Sequence, residues 1–341
     1  METSIEVDNT RVVFGMSVDD SASGNSLVLP SWISHPRPLK SYAVFEAFPE
    51  HEFRKIQKLA NAIHGKIYLY EHLPTKCQVV VKKMPTINVI AFTPGLLEDA
   101  LTEIGVTKFI SSLTEADYIV KMVGLYQDEE FTYFVTEYSS GGELFEHVVQ
   151  AKQLPEDIAR KYIKQVLLGI KSLHHNGVVH RDISLENTLL HGDGSVRVID
   201  FGQAVLLYNP KGPRLDSLLR HTGKAGKAYY RAPEMYLGDY EGAPVDLFAV
   251  GVMLFIMTVG TPPWNSAVQT DARYKYIEKY GVTKLLTSWG KAQNMTPQLL
   301  DLIERLMCPN PQLRMSVDEA LAHPWIHAAG DHIPTAPTVS M

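Results

Sequence analysis

Cysteine is nearly absent: Cys77 and Cys308 are the only two in 341 residues, and they lie far apart in the chain. That excludes a disulfide framework and a cysteine zinc site, and it fits a reducing compartment. No His stands at a recognisable spacing from either one, so both read as packing residues. A strong charge of one sign is also lacking. Net charge is −6 and the pI about 6.1, which gives no basis for nucleic-acid binding. No basic segment followed by an apolar run opens the chain, so no signal peptide is expected. Met1 is followed by Glu2 and not by the Gly that myristoylation needs. The longest apolar run, Phe248 to Val259, is too short to cross a bilayer and reads as a buried helix. The expectation is a soluble, intracellular monomer, cytoplasmic or nuclear, with neither membrane nor nucleic acid as partner.

What is present changes character along the chain. Residues 1–41 are rich in Ser, Asp, Asn and Pro and read as a flexible extension in which only Val12 to Phe14 suggests a strand. From Phe53 to Glu137 the β-branched and alternating runs Ile67–Tyr70, Gln78–Lys82 and Phe131–Val135 predict an antiparallel sheet, interrupted by a helix over Pro94–Leu113. From Gly142 onward helices dominate. Pro155 opens one that carries Ile158, Tyr162, Ile163, Val166, Ile170 and Leu173 at helical spacing and stops at Asn176-Gly177. An α+β, bilobal chain follows: a small β-rich N-terminal lobe over 42–137 and a larger helical C-terminal lobe over 138–327. A hinge at Glu137 to Gly142 would set a cleft between them, and 328–341 reads as a fraying tail.

The segment His180-Arg181-Asp182-Ile183-Ser184-Leu185-Glu186-Asn187 lies between an amphipathic helix and an apolar strand. It resembles the catalytic loop H-R-D-x-x-x-x-N of eukaryotic protein kinases. Asp200-Phe201-Gly202 follows the short strand Val196–Ile199, and Ala232-Pro233-Glu234 follows in turn, as the D-F-G and A-P-E elements do in that family. The resemblance spans Phe53 to Ile326. It implies ATP and Mg2+ as cofactors, Asp182 as the base that takes the substrate hydroxyl proton, and Asn187 and Asp200 as metal ligands. It pairs Glu234 with Arg314 and makes Asp246 the buried brace of the catalytic loop. Lys82 matches the lysine of V-A-I-K that contacts the first two phosphates. Ile67, Val80, Thr136, Glu137, Glu186 and Leu189 join it on the nucleotide side, Thr136 as gatekeeper. Glu143-Leu144-Phe145 is similar to calcium/calmodulin-dependent and AMP-activated-type Ser/Thr kinases. No segment after Ile326 resembles a calmodulin-binding helix, so calcium control is not expected.

Three departures sit on the phosphate side. The glycine-rich loop should read G-x-G-x-x-G, yet the chain has Ala60-Asn61-Ala62-Ile63-His64-Gly65. Methyl groups at Ala60 and Ala62 hold the backbone farther from phosphates, which predicts weaker nucleotide binding. The Glu expected to pair with Lys82 falls near Val106 by spacing; Glu103 is the best candidate and Glu98 the runner-up. Ser184 stands where the family has a Lys, and Lys227 where it has a Thr. Either the two have exchanged roles beside Asp182, or they are unrelated losses with Lys227 solvated.

By the same resemblance Arg181 engages a phosphorylated activation segment, in which Ser217 and Thr222 are flanked by Arg214, Arg220, His221 and Lys224. Glu143 and Glu186 match positions that receive an Arg of the substrate, so a basic protein segment is the expected partner. The leading reading is a protein Ser/Thr kinase. The alternative is a pseudokinase acting as scaffold or allosteric partner, and a small-molecule kinase is disfavoured by the full segment ending in A-P-E.

Overall fold

The computed structural model describes residues 46–90, 98–113, 116–206 and 223–328. The extension at 1–41, its suggested strand, Pro94, Ser217, Thr222 and the flanking Arg214, Arg220 and His221 lie outside the described residues. Two compact units form. The smaller comprises 46–90, 98–113 and 120–138; the larger comprises 116–119, 139–206 and 223–328. Residues 116–119, which the sequence assigns to the first lobe, belong to the larger unit because Ile119 bridges to Val198 and the Tyr118 carbonyl accepts the Val198 N–H at 2.9 Å.

In the smaller unit five antiparallel strands run β1 (Phe53–Ala62), β2 (Gly65–His72), β3 (Cys77–Pro85), β4 (Met122–Gln127) and β5 (Phe131–Glu137), in spatial order β1-β2-β3-β5-β4. The alternation of side chains sets two faces. Val79, Val81, Tyr133 and Val135 point to one, closed by Phe53 and by stacked Phe48 and Tyr133 rings 4.3 Å apart. Met84 and Phe134 point to the other, against Val89, Ala100 and Ile104. Those last residues belong to two helices, α1 (Thr86–Ile90) and α2 (Ala100–Ser111). Asp99 caps α2 by accepting the Thr102 N–H at 2.9 Å, so this helix begins later than the predicted Pro94. Strands β1 and β4 were not legible one by one: β1 mixes charges on both faces, as an edge strand does, and β4 is short and holds a glycine.

The larger unit begins with α3 (Leu144–Ala151) and α4 (Glu156–His175). The predicted stripe on α4 is buried at Ile163, Val166, Ile170 and Leu173, while Ile158 and Tyr162 are not. Short pairs follow: β6 (Val178–Val179) with β9 (Val205–Leu206), and β7 (Thr188–Leu190) with β8 (Val196–Val198). Next come α5 (Gly242–Val259), α6 (Ala272–Tyr280), α7 (Val282–Ser288), α8 (Pro297–Leu306) and α9 (Val317–Leu321). The apolar run predicted from Phe248 extends back to Gly242. At 18 residues, α5 is the one helix among those described that is long and apolar enough to cross a membrane. It is 83% buried inside the protein, however, which marks the central helix of a core. Each fully buried Leu or Phe there stabilises the unit by about 1.5–3 kcal/mol. The helix ends at Gly260, whose φ is +84° and where a Cβ would meet the Lys152 carbonyl at 2.0 Å. Only glycine fits both conditions.

Candidate active site

In the smaller unit, strand parity decides between two adjacent lysines. Lys82 shares the face of Met84, toward α2, and its Nζ lies 2.5 Å from Glu103 Oε2, both residues being 7% exposed. Lys83 points to the opposite face, its Nζ 3.9 Å from the Phe131 ring centre. Glu103 is therefore the partner of Lys82. Val106, the position reached by spacing, is buried in the core, and Glu98 contributes its carbonyl to the ring of His64 at 3.2 Å. In the register Ile67 stands opposite Lys82, and Thr136 opposite Val80. The carboxylate of Glu137 accepts the Lys121 N–H at 3.0 Å.

The expected phosphate-facing loop takes a different form. Strand β1 continues to Ala62, Ala60 pairs with Ile67 and Ala62 with Gly65, and only Ile63-His64 turns the corner. Gly65, the glycine that survives from the pattern, packs on β3: a Cβ there would lie 2.2 Å from the Lys83 carbonyl oxygen. Strand contact by itself requires glycine at this position.

In the larger unit the catalytic-loop residues are fixed from below by Asp246, which is 1% exposed. Its Oδ2 accepts the His180 N–H and a ring nitrogen of His174, each at 2.9 Å, and its Oδ1 accepts the Arg181 N–H at 2.8 Å. Held this way, Arg181 adopts a φ of +65°, a conformation a non-glycine residue takes only when its surroundings impose it. The Arg181 side chain donates to the Gln203 carbonyl at 2.7 Å and toward the Tyr240 hydroxyl at 3.3 Å. The His180 ring is buried at 4.9 Å from that of Phe201 and reaches the Ile199 carbonyl at 3.0 Å.

Asp182 stands on this base, 7% exposed. Its Oδ2 accepts from Asn187 Nδ2 at 2.8 Å and from Gln203 Nε2 at 3.3 Å, while its Oδ1 is buried with no hydrogen-bond partner in the protein. Burial raises its pKa; Lys227, His180 and Asn187 work against that rise, and the nearby charge of Asp200 adds to it. Asp200 has a φ of +68° and accepts the Gly202 N–H at 3.2 Å. Asn187 uses its amide N–H2 on Asp182, so its amide oxygen and the Asp200 carboxylate are the hard oxygen donors on offer. That donor chemistry fits Mg2+, which takes one or two protein oxygens and completes its shell with water and phosphate.

Ser184 and Lys227 do meet. Ser184 is fully buried and Lys227 Nζ donates to its Oγ at 3.0 Å, 3.5 Å from Asp182 Oδ2. Glu186 accepts the Tyr229 hydroxyl at 2.8 Å, and Glu143 bridges to Leu189 at the start of α3. Burial, then the neighbouring Glu146 and Glu186, raises the pKa of Glu143. Arg314, with no exposed side chain, clasps Glu234 through two bonds of 2.6 and 3.0 Å. Gln203 is the site residue that the sequence reading passed over. Its one signal is a polar side chain directly after Asp200-Phe201-Gly202, where the run otherwise turns apolar.

Residues 53–326 match the protein kinase domain. Among curated relatives, the chain is 31% identical over 285 residues to the serine/threonine-protein kinase chk-1 of Caenorhabditis elegans, covering 83% of this chain and 54% of that one. It is 36% identical to the Aurora kinase of Schizosaccharomyces pombe over 61% of this chain and 54% of the relative. It is 29% identical to the calcium-dependent protein kinase 4 of Plasmodium berghei over 81% and 49%. The chain thus spans about half the length of these relatives. The domain match together with the braced Asp182, the Lys82–Glu103 pair and the Glu234–Arg314 clasp makes one assignment: the chain belongs to the eukaryotic-type Ser/Thr protein kinase family.

Proposed function

We propose that the protein transfers the γ-phosphoryl group of ATP to a Ser or Thr hydroxyl of a protein substrate, with Asp182 as the base. The observation that carries this reading is the fixed Asp182 carboxylate: Asn187 and Gln203 donate to Oδ2, on a loop braced from below by Asp246. A carboxylate held in one orientation offers an incoming hydroxyl an acceptor in a set direction, a positioning worth about 10²–10⁴ in rate for general-base catalysis. Lys82, aligned by Glu103, would steady the first two phosphates. Asn187 and Asp200 would hold Mg2+, which when bound neutralises phosphate charge. Glu146 and Glu186 lie close enough to Glu143 to raise its pKa beyond the effect of burial, and this cluster of acids supports a substrate that is basic around its phosphoacceptor. A monomer that needs neither nucleic acid nor membrane agrees with the net charge of −6.

The scaffold alternative has no comparable support, since the compared relatives are kinases by name. The test is transfer of labelled phosphate from Mg-ATP to a basic Ser/Thr peptide by the full chain, beside Asp182→Asn. Turnover by the wild type that disappears in Asp182→Asn is expected. Equal transfer by both, or none by the wild type, refutes the reading.

A further inference from the structure

Lys227 has no role in the reading above, yet its surroundings are not those of a surface lysine. Its ammonium donates to a hydroxyl that is itself completely buried. That same Ser184 Oγ also accepts the Asn187 N–H at 3.2 Å, so Ser184 uses its acceptor capacity as a socket joining the catalytic loop to Lys227. A solvated lysine gains little by such fixation and loses side-chain freedom. The side chain is nonetheless 34% exposed, so part of the ammonium still faces outward beside Asp182.

The backbone around Lys227 is fixed as well. The preceding Gly226 donates its N–H to Gln203 Oε1 at 2.8 Å, and the other end of that amide is the donor to Asp182 Oδ2. Gly226 has a φ of +75°, and a Cβ there would stand 2.8 Å from the Arg181 carbonyl and 3.2 Å from Asp182 Oδ1. Only glycine lets the segment come this close. The Lys227 carbonyl in turn accepts the N–H groups of Tyr230 and Arg231 at 3.0 and 3.2 Å. One glutamine therefore ties residue 226 to the base, and one serine ties residue 227 to the loop that carries the base.

We propose that Lys227 is a catalytic cation that the segment after Asp200-Phe201-Gly202 delivers to Asp182, seated by Ser184 and held by the positioning residue Gln203. This rests on the phosphotransfer reading with Asp182 as base. In the step, the substrate oxygen forms a bond to the γ-phosphorus and its proton passes to the Asp182 carboxylate. The bond from that phosphorus to the bridging oxygen breaks, and ADP leaves with the electron pair. Lys227 stabilises the negative charge on the transferring group. A cation borne by the catalytic loop itself would stand ready at all times. Lys227 is 43 positions along the chain from its socket, so its charge is present only while residues 226–227 are docked. Activity then depends on that docking, whatever brings the docking about.

The experiment uses the full chain and the peptide assay above, with ATP affinity measured separately by equilibrium binding. Lys227→Met is expected to lower kcat about 10²–10³-fold, the size of effect that follows loss of one charge-stabilising donor, with the ATP Kd changed less than about threefold. Lys227→Thr should behave alike. Adding Ser184→Lys to Lys227→Thr returns a cation to the loop and a hydroxyl to the segment, and should recover at least about tenfold of the lost kcat. Gln203→Met should lower kcat with KM for ATP held, and raise amide exchange at residues 225–227. A Lys227→Met enzyme within about threefold of wild type, while Asp182→Asn is dead, overturns this inference and spares the base assignment. Failure of the double variant to exceed Lys227→Thr, with both folded by their unfolding midpoints, overturns the exchange of roles. A wild type without turnover refutes both readings.

Discussion

Replacing Asp246 tests how the larger unit holds its catalytic loop. The carboxylate accepts three bonds of 2.8–2.9 Å, two of them from the backbone N–H groups of His180 and Arg181. Asp246→Ala leaves both N–H groups without an acceptor in a place closed to water. At about 1–3 kcal/mol for each buried donor left unpaired, the loss is about 4 kcal/mol. The range of about 3–5 kcal/mol for breaking a buried charged contact agrees. Asp246→Asn is not a mild change here. An amide has one accepting oxygen where the structure uses two, so its N–H2 must face a backbone N–H, and we expect a loss of about 2–3 kcal/mol. Urea unfolding read by tryptophan fluorescence reports chiefly the right unit, because three of the four tryptophans, Trp264, Trp289 and Trp325, lie in it. At about 1.4 kcal/mol per factor of ten, Asp246→Ala lowers the folding constant about 10³-fold. Activity should fall too: without its brace Arg181 relaxes from positive φ and carries Asp182 with it, and a shift of about 1 Å is worth about 10² in rate. An Asp246→Asn protein within about 0.5 kcal/mol of wild type and equal in kcat would refute the reasoning.

Other substitutions probe other links. Glu103→Gln leaves the buried Lys82 ammonium without its counter-charge; a stability loss of about 3 kcal/mol and a raised ATP Kd are expected, by thermal unfolding and equilibrium binding. Gly65→Ala drives a methyl into the Lys83 carbonyl. It should destabilise the smaller unit by about 2 kcal/mol, seen as loss of amide protection in β2 and β3. Arg314→Lys cannot reproduce a two-bond clasp on Glu234 with a single ammonium. A loss of about 2–3 kcal/mol in urea unfolding is expected, while a change below about 0.5 kcal/mol would show that the clasp contributes nothing.

Much of this was legible in the sequence because it rests on local order. His180 to Asn187 and Asp200 to Gly202 are short, contiguous and tied to chemistry that admits few residue types, so their spacing carries the site. The α4 stripe was readable from period alone, although Ile158 and Tyr162 extend it beyond what is buried. The partner of Lys82 was not readable from spacing: the count from Tyr118–Lys121 reaches Val106, one turn beyond Glu103, and only the folded contact identifies the pair. The seating of Lys227 against Ser184 was open between two readings, since no local pattern joins positions so far apart; only folding brings them to 3.0 Å. Gln203 escaped altogether. A lone polar residue has no period and no motif, and its two contacts lie 21 and 23 positions away.

The continuous β1–β2 hairpin has a consequence for how this part of the protein meets a ligand. Glycine loses more conformational freedom on ordering than any other residue, so a glycine-rich flap must give up that freedom at every encounter. Fixing one residue's backbone costs about 1–2 kcal/mol. Here Ala60 and Ala62 are already paired with Ile67 and Gly65, so folding has immobilised them before any ligand arrives. Recognition along this edge is accordingly rigid: a ligand whose outline fits meets little entropic opposition, and one of a different outline finds a hairpin that does not remould around it.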